Sequence, residues 1–77
     1  MSIHIKFFAS LRERLGREAQ EVDAGEGLTV GALWCAVSGT DRLPTTVLAA
    51  LNQEYATPDQ PVRDGDEVAF FPPVTGG

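Results

Sequence analysis

The last two residues of the chain, Gly76 and Gly77, are the first place where the sequence suggests chemistry. Neither residue has a side chain, so this end is narrow and its backbone can pass close to other atoms. The reactive group that it offers is the terminal carboxylate, which is ionised at neutral pH and needs activation before it reacts as an acyl group. The alternative interpretation is a frayed end that contains glycine by chance.

The four residues before the glycines, Pro72, Pro73, Val74 and Thr75, form a segment that projects this end. The two prolines fix φ and cannot donate ladder hydrogen bonds, so they stop the strand before them. Six extended residues reach up to ~20 Å, which is enough to enter the pocket of a neighbouring protein. We therefore predict an extended tail over residues 72–77.

Other reactive side chains are few. Cys35 is the only cysteine and His4 the only histidine, so the chain can form no internal disulfide and no zinc site with several cysteine ligands. We expect Cys35 to be a small packed thiol and His4 to point outward from a strand. No metal site is predicted.

The charge balance bears on the classes of partner. The net charge is −5, with 11 acidic residues against 6 basic ones. Nucleic-acid binding and docking on anionic membranes both need a cationic surface, so we expect neither. No segment approaches the ~20 apolar residues of a membrane span, and the start lacks the apolar run of a signal peptide. A cytoplasmic location follows as an expectation.

Apolar periodicity predicts the secondary structure. Period-two alternation or short apolar runs indicate strands at residues 3–8, 18–22, 47–51, 55–56 and 67–71. A short helix begins at Ser10, where the spacing of Ser10 and Glu13 fits a capping box, and ends at Gly16. A longer helix over residues 30–37 is capped by Thr29, and it carries an apolar stripe of Val30, Leu33, Trp34 and Val37.

This order of elements indicates the fold class. A mixed sheet that curls around one main helix, with a short additional helix, buries all the apolar faces in a single two-layer core. We predict an α+β fold of the ubiquitin-like, β-grasp type over residues 1–71. Its first and last strands lie parallel and side by side at the centre of the sheet.

Two Phe-Phe pairs predict an exposed aromatic surface. Neighbouring side chains in a strand point to opposite faces, so Phe7-Phe8 and Phe70-Phe71 cannot both enter one core. If Phe7 and Phe70 are buried, then Phe8 and Phe71 lie on the outer face, and Tyr55 extends the same surface. Aromatic side chains are enriched at the centres of interfaces, which favours a partner-binding surface over coverage by a loop of the chain itself.

These residues support a resemblance to a known family. The segment from Asp64-Gly65-Asp66-Glu67 through Phe70-Phe71-Pro72-Pro73 to Gly76-Gly77 resembles the C-terminal signature of the MoaD family, the small sulfur-carrying subunit of molybdopterin synthase. Phe7-Phe8-Ala9, Leu11-Arg12-Glu13 and Gly16 are similar to the start of that family. Leu51-Asn52-Gln53 resembles its central strand and turn.

The resemblance implies a carrier function and two protein partners. A MoeB-type enzyme would use ATP and Mg²⁺ to adenylate Gly77, and a sulfur donor would convert the adenylate to a thiocarboxylate. A MoaE-type large subunit, in a heterotetramer of two small and two large subunits, would receive the tail and pass the sulfur to cyclic pyranopterin monophosphate. The chain itself would bind no cofactor. Gly76 would give clearance, and the docking residues would be Phe8, Tyr55, Phe71, Pro72, Pro73, Val74 and Thr75.

Three alternatives stay open at this point. A ThiS-type carrier for thiazole synthesis has the same tail chemistry with another acceptor, and a ubiquitin-like modifier joins its terminus to lysines. A passive β-grasp interaction module does neither. Asp64, Asp66 and Glu67 are interpreted equally as contacts for the adenylating enzyme and as a solvated turn.

Overall fold

The computed structural model describes residues 2–40, 43–44 and 46–73. Within these residues the elements, in chain order, are β1 (Ser2–Phe7), α1 (Ser10–Leu15), β2 (Ala19–Asp23), α2 (Val30–Ser38), β3 (Leu48–Leu51), β4 (Glu54–Ala56) and β5 (Glu67–Phe71).

The strands form one mixed sheet in the order β2-β1-β5-β3-β4. β1 and β5 pair in parallel, whereas the other neighbours are antiparallel. The predicted α+β class, with its parallel first and last strands inside the sheet, is confirmed. Neither helix in the described part of the chain has the length and apolar character needed to cross a membrane.

The core lies between the sheet and α2. Phe7 of β1 stacks on Phe70 of β5 with ring centroids 6.2 Å apart, and Trp34 of α2 meets Phe70 edge-on at 5.1 Å. All four residues of the predicted α2 stripe are buried. Each fully buried large apolar side chain stabilises the fold by about 1.5–3 kcal/mol, so these contacts hold the helix on the sheet.

The ends of α2 agree with the sequence, and Gly31 near its start has a packing role. Thr29 Oγ1 accepts a hydrogen bond from the Ala32 backbone N–H at 3.1 Å, so Thr29 is the cap, as predicted. The Gly31 N–H donates to the Pro58 carbonyl at 2.7 Å, and a Cβ at Gly31 would lie 3.0 Å from that oxygen. Glycine is therefore used here because a neighbouring backbone approaches the helix closely.

The capping box predicted for α1 is wrong. Ser10 is the first helical residue, the cap position is Ala9, and no side chain there makes a capping hydrogen bond. Ala9 has φ 54° and ψ −130°, which turns the chain sharply out of β1 and places Ser10 already inside the first turn. Gly16 ends the helix as predicted, at φ 71°, with its N–H bound to the Arg12 carbonyl.

The other boundaries agree with the predictions to within one residue, and β5 has the predicted bounds. β2 begins at Ala19 instead of residue 18. β3 begins at Leu48 because the Val47 N–H donates to the Pro44 carbonyl at 3.1 Å instead of pairing with β5. The predicted turn between β3 and β4 is confirmed. Asn52 and Gln53 both have positive φ, 51° and 73°, which is the requirement of a two-residue type I′ hairpin.

A hydrogen-bonded clamp joins this hairpin turn to the start of β5. Asn52 exchanges two hydrogen bonds with the Glu67 backbone, at 2.8 and 3.0 Å. The Asp66 carboxylate accepts hydrogen bonds from Asn52 Nδ2 at 3.0 Å and from the Arg63 backbone N–H at 2.7 Å. These two hydrogen bonds lower the pKa of Asp66 below its ordinary value of 3.8, and the bond from the Asn52 side chain has the larger effect. The ionised form of Asp66 is therefore the form that suits the fold.

We predict that Gly31→Ala lowers the free energy of unfolding by about 1–3 kcal/mol, the usual cost of overpacking. The new Cβ would press on the Pro58 carbonyl, and this outweighs the gain of up to ~1 kcal/mol in helix propensity. Urea unfolding followed by circular dichroism measures the change. Ala36→Gly, at an exposed position of the same helix, is the control and should cost only ~1 kcal/mol. A Gly31→Ala variant more stable than the parent would show that the close approach does not constrain this residue.

We also predict that Asp66→Asn destabilises the protein at neutral pH but not in acid. Because the pKa is lowered in the folded state, the stability due to ionised Asp66 is fully present above the unfolded-state pKa. It is lost as the pH falls below ~4 through the folded-state pKa. The difference in melting temperature between parent and variant should therefore shrink from pH 7 to pH 3. A difference that stays constant over this range would contradict the assignment.

Candidate functional site

The outer face of the sheet brings together the three aromatic residues predicted for docking. Phe8 is 48% exposed and Tyr55 is 77% exposed, while Phe71 is half-buried. The rings of Tyr55 and Phe71 are in contact, with centroids 5.9 Å apart. The Phe8 backbone N–H donates to the Phe70 carbonyl at 3.1 Å, so Phe8 continues the β1–β5 ladder next to Phe71. The loop considered as a cover for Phe8 is not found within residues 2–40, 43–44 and 46–73, since half of this side chain is open.

The structure adds three residues to this surface that the sequence interpretation missed. Leu48 lies opposite Phe71, and Ala50 lies opposite both Ala69 and Tyr55. Leu48, Ala50 and Ala69 are all half-buried on the outer side, whereas Ala49 between them faces the core. The sequence signal for Leu48 and Ala50 was the unbroken apolar run of residues 47–51. In a strand that is covered on one face only, apolar and polar residues alternate. A strand that is apolar on both faces therefore has a second apolar surface to bury.

We call the set of Phe8, Leu48, Ala50, Tyr55, Ala69 and Phe71 the apolar outer patch. It covers the half of the sheet formed by β3, β4 and β5, together with the end of β1. Exposed contiguous apolar surface rimmed by polar residues is typical of protein-binding sites. The arrangement can therefore bind a protein surface, and the Tyr55 hydroxyl is the only polar side-chain group in it.

The other half of the outer face is charged. His4 Nδ1 lies 3.1 Å from Glu21 on β2, and Lys6 Nζ lies 3.3 Å from Glu67 on β5. These side chains are 39% to 63% exposed, so each pair stabilises the fold only weakly. His4 points outward, as predicted. A partner that covers the apolar outer patch meets this ion-paired strip along one side of it.

The tail begins at the edge of the apolar outer patch. β5 ends at Phe71. It is followed directly by Pro72, which is half-buried, and Pro73, which is exposed. Val74, Thr75, Gly76 and Gly77 lie outside the described residues, so their predicted roles stay predictions. Because Phe71 belongs to the apolar outer patch and directly precedes Pro72, a protein bound to the patch also lies next to the start of the predicted tail.

The remaining candidate residues in the described part of the chain do not form a metal site. No group of three or more His, Cys, Asp or Glu side chains there is arranged to hold a metal ion. Cys35 is half-buried and lines an open groove of about 400 Å³ with Ala32, Leu43 and Pro58 among its neighbours. Asp66 is engaged in the clamp, while Asp64 in the same turn is exposed.

Comparison with known proteins gives matches along almost the whole chain. The model of the ThiS family matches residues 5–77. The molybdopterin synthase sulfur carrier subunit of Escherichia coli is 47% identical over 97% of this chain and 99% of its own length. The protein of the same description from Chlamydomonas reinhardtii is 36% identical, with both chains covered completely.

A solved structure agrees with the fold. The crystal structure of SAMP1 from Haloferax volcanii, a small archaeal modifier protein, superposes with a TM-score of 0.84. It is 32% identical, with both chains covered completely. Together these matches confirm the resemblance predicted from the sequence, and the chain belongs to the ThiS family.

Proposed function

We propose that this chain is a sulfur carrier and acts as the small subunit of molybdopterin synthase. The observation that carries the proposal is the end-to-end match to sulfur carrier subunits at up to 47% identity, together with a family match that includes Gly77.

The proposed cycle begins with activation of the Gly77 carboxylate. A MoeB-type enzyme joins this carboxylate to the α-phosphorus of ATP, with Mg²⁺ bound by that enzyme, and pyrophosphate leaves. The terminal sulfur of a persulfide donor then attacks the acyl carbon and displaces AMP. A thiol cleaves the resulting sulfur–sulfur bond, so that Gly77 keeps one sulfur as a thiocarboxylate. Because the cycle consumes ATP, we place it in the cytoplasm.

Delivery of the sulfur depends on the apolar outer patch. A MoaE-type large subunit covers the patch through Phe8, Tyr55 and Phe71, and residues 72–75 carry the terminus into its pocket. Because Gly76 has no side chain, it leaves room in that pocket for cyclic pyranopterin monophosphate. Each carrier gives up one sulfur, so two deliveries complete the dithiolene, in a heterotetramer of two small and two large subunits.

A second candidate is a protein modifier, favoured by the likeness to SAMP1 at 32% identity. Both functions require an activated Gly77, but their products differ. A modifier ends in an amide bond to a lysine of another protein, whereas a carrier ends in a thiocarboxylate. A thiazole-forming carrier gives the same thiocarboxylate and differs only in the acceptor. The higher identity to the sulfur carrier subunits favours the first proposal.

The proposal is tested by incubating the chain with a MoeB-type enzyme, ATP, Mg²⁺ and a persulfide donor. Intact-mass spectrometry should show a gain equal to the difference between one sulfur and one oxygen, and fragmentation should place it on Gly77. Adding the large subunit and cyclic pyranopterin monophosphate should yield molybdopterin. Deleting Gly77 should abolish both products without changing the circular dichroism spectrum. Adducts on other proteins, with no gain of sulfur, would favour the modifier instead.

We predict that Phe71→Asp weakens binding to the large subunit by at least ~2 kcal/mol, about 30-fold, because a charge would be buried at the centre of the contact. Isothermal titration calorimetry measures the affinity. Ala36→Asp, at an exposed position of α2 on the opposite side of the sheet, is the matched control and should bind like the parent. Equal affinities for the two variants would exclude the apolar outer patch as the docking surface.

A further inference from the structure

The chain has few side chains that could attack an acyl-adenylate. Lys6 is the only lysine, and the other basic residues apart from His4 are five arginines, whose guanidinium groups stay protonated and are not nucleophilic. Cys35 is half-buried, and a thioester formed on it would be cleaved again by the thiols present. Lys6 is therefore the one side chain at which the activated terminus of another copy could form an amide bond.

Lys6 stands where such an attack is sterically open. It lies on β1 between Ala69 of β5 and Ala19 of β2, and neither of these neighbours has a long side chain. The Lys6 side chain is 49% exposed, and its Nζ lies 3.3 Å from Glu67 Oε2. The Glu67 side chain is itself 39% exposed, so the pair sits at the surface rather than in the core.

We propose that Lys6 is the self-acylation site of the carrier and that its pairing with Glu67 restrains the reaction. The inference rests on the proposed activation of Gly77. The neutral Lys6 amine of one copy attacks the Gly77 acyl carbon of another, the carbon–nitrogen bond forms, and the carbon–oxygen bond to AMP breaks. AMP leaves with the electron pair, and the amine proton passes to water. The product is an amide-linked dimer that carries no sulfur.

Glu67 restrains this reaction because its carboxylate holds the Lys6 side chain in an ion pair. Attack requires Lys6 Nζ to leave the Glu67 carboxylate, whose Oε2 lies 3.3 Å away and holds it in an ion pair. An exposed ion pair of this kind is worth about a two- to fivefold change in an equilibrium. The tetrahedral intermediate loses its proton readily to water, so Glu67 is not needed as a base. We therefore expect Glu67 to slow the acylation of Lys6.

The test uses the intact chain with the MoeB-type enzyme, ATP and Mg²⁺, but with no sulfur donor. The dimer is identified by a mass of two chains minus one water, by resistance to thiols, and by peptide mapping. The parent should form it slowly through Lys6. Glu67→Gln, which keeps the size of the side chain, should form it about two- to fivefold faster, and Lys6→Arg should form none.

A third variant moves the amine. Lys6→Arg combined with Arg14→Lys places the only lysine on the exposed face of α1, where the described structure records no carboxylate partner, and should form a dimer through position 14 faster than the parent. Dimer in the Lys6→Arg variant, linkage through the α-amino group, or an unchanged rate in Glu67→Gln would overturn the inference. If activation succeeds without any dimer, this inference alone fails. If no adenylate or thiocarboxylate forms under any condition, the proposed function fails with it.

Discussion

The parallel pairing of β1 with β5 is the constraint on which the rest of the structure depends. It places Phe7 beside Phe70 on the core side, where Trp34 of α2 meets them. The same register turns Phe8 and Phe71 to the outer face, since neighbouring side chains alternate. One strand pairing therefore builds both the core and the surface that we assign to docking.

This pairing also suits the docking role that we propose for so small a chain. A domain of this size buries only about 60% of its unfolded surface, so it has little interior to spare for a deep pocket. The fold instead presents an apolar surface on one half of the sheet and starts the tail at its edge. The Asn52–Asp66 clamp holds the start of β5, and the pairing of Phe71 with Leu48 holds its end, where Pro72 follows.

Much of the fold could be predicted because the decisive residues act locally or through simple alternation. The β1 alternation and the stripe of α2 identified most of the core, and Gly16 and Thr29 identified helix ends. The capping box failed because the positive φ of Ala9 comes from the path of the chain out of the sheet, which spacing does not encode. The roles of Leu48 and Gly31 depend on contacts with Phe71 and Pro58, far away in sequence. The last four residues of the predicted site remain predictions.

The most direct measurement follows one sulfur atom from the carrier to the product. The Gly77 thiocarboxylate would be prepared with a heavy sulfur isotope and mixed with the large subunit and cyclic pyranopterin monophosphate in a single turnover. We predict that the isotope appears in the dithiolene of molybdopterin and that Gly77 returns to a carboxylate. Molybdopterin formed without the isotope, while the label stays on Gly77, would contradict it.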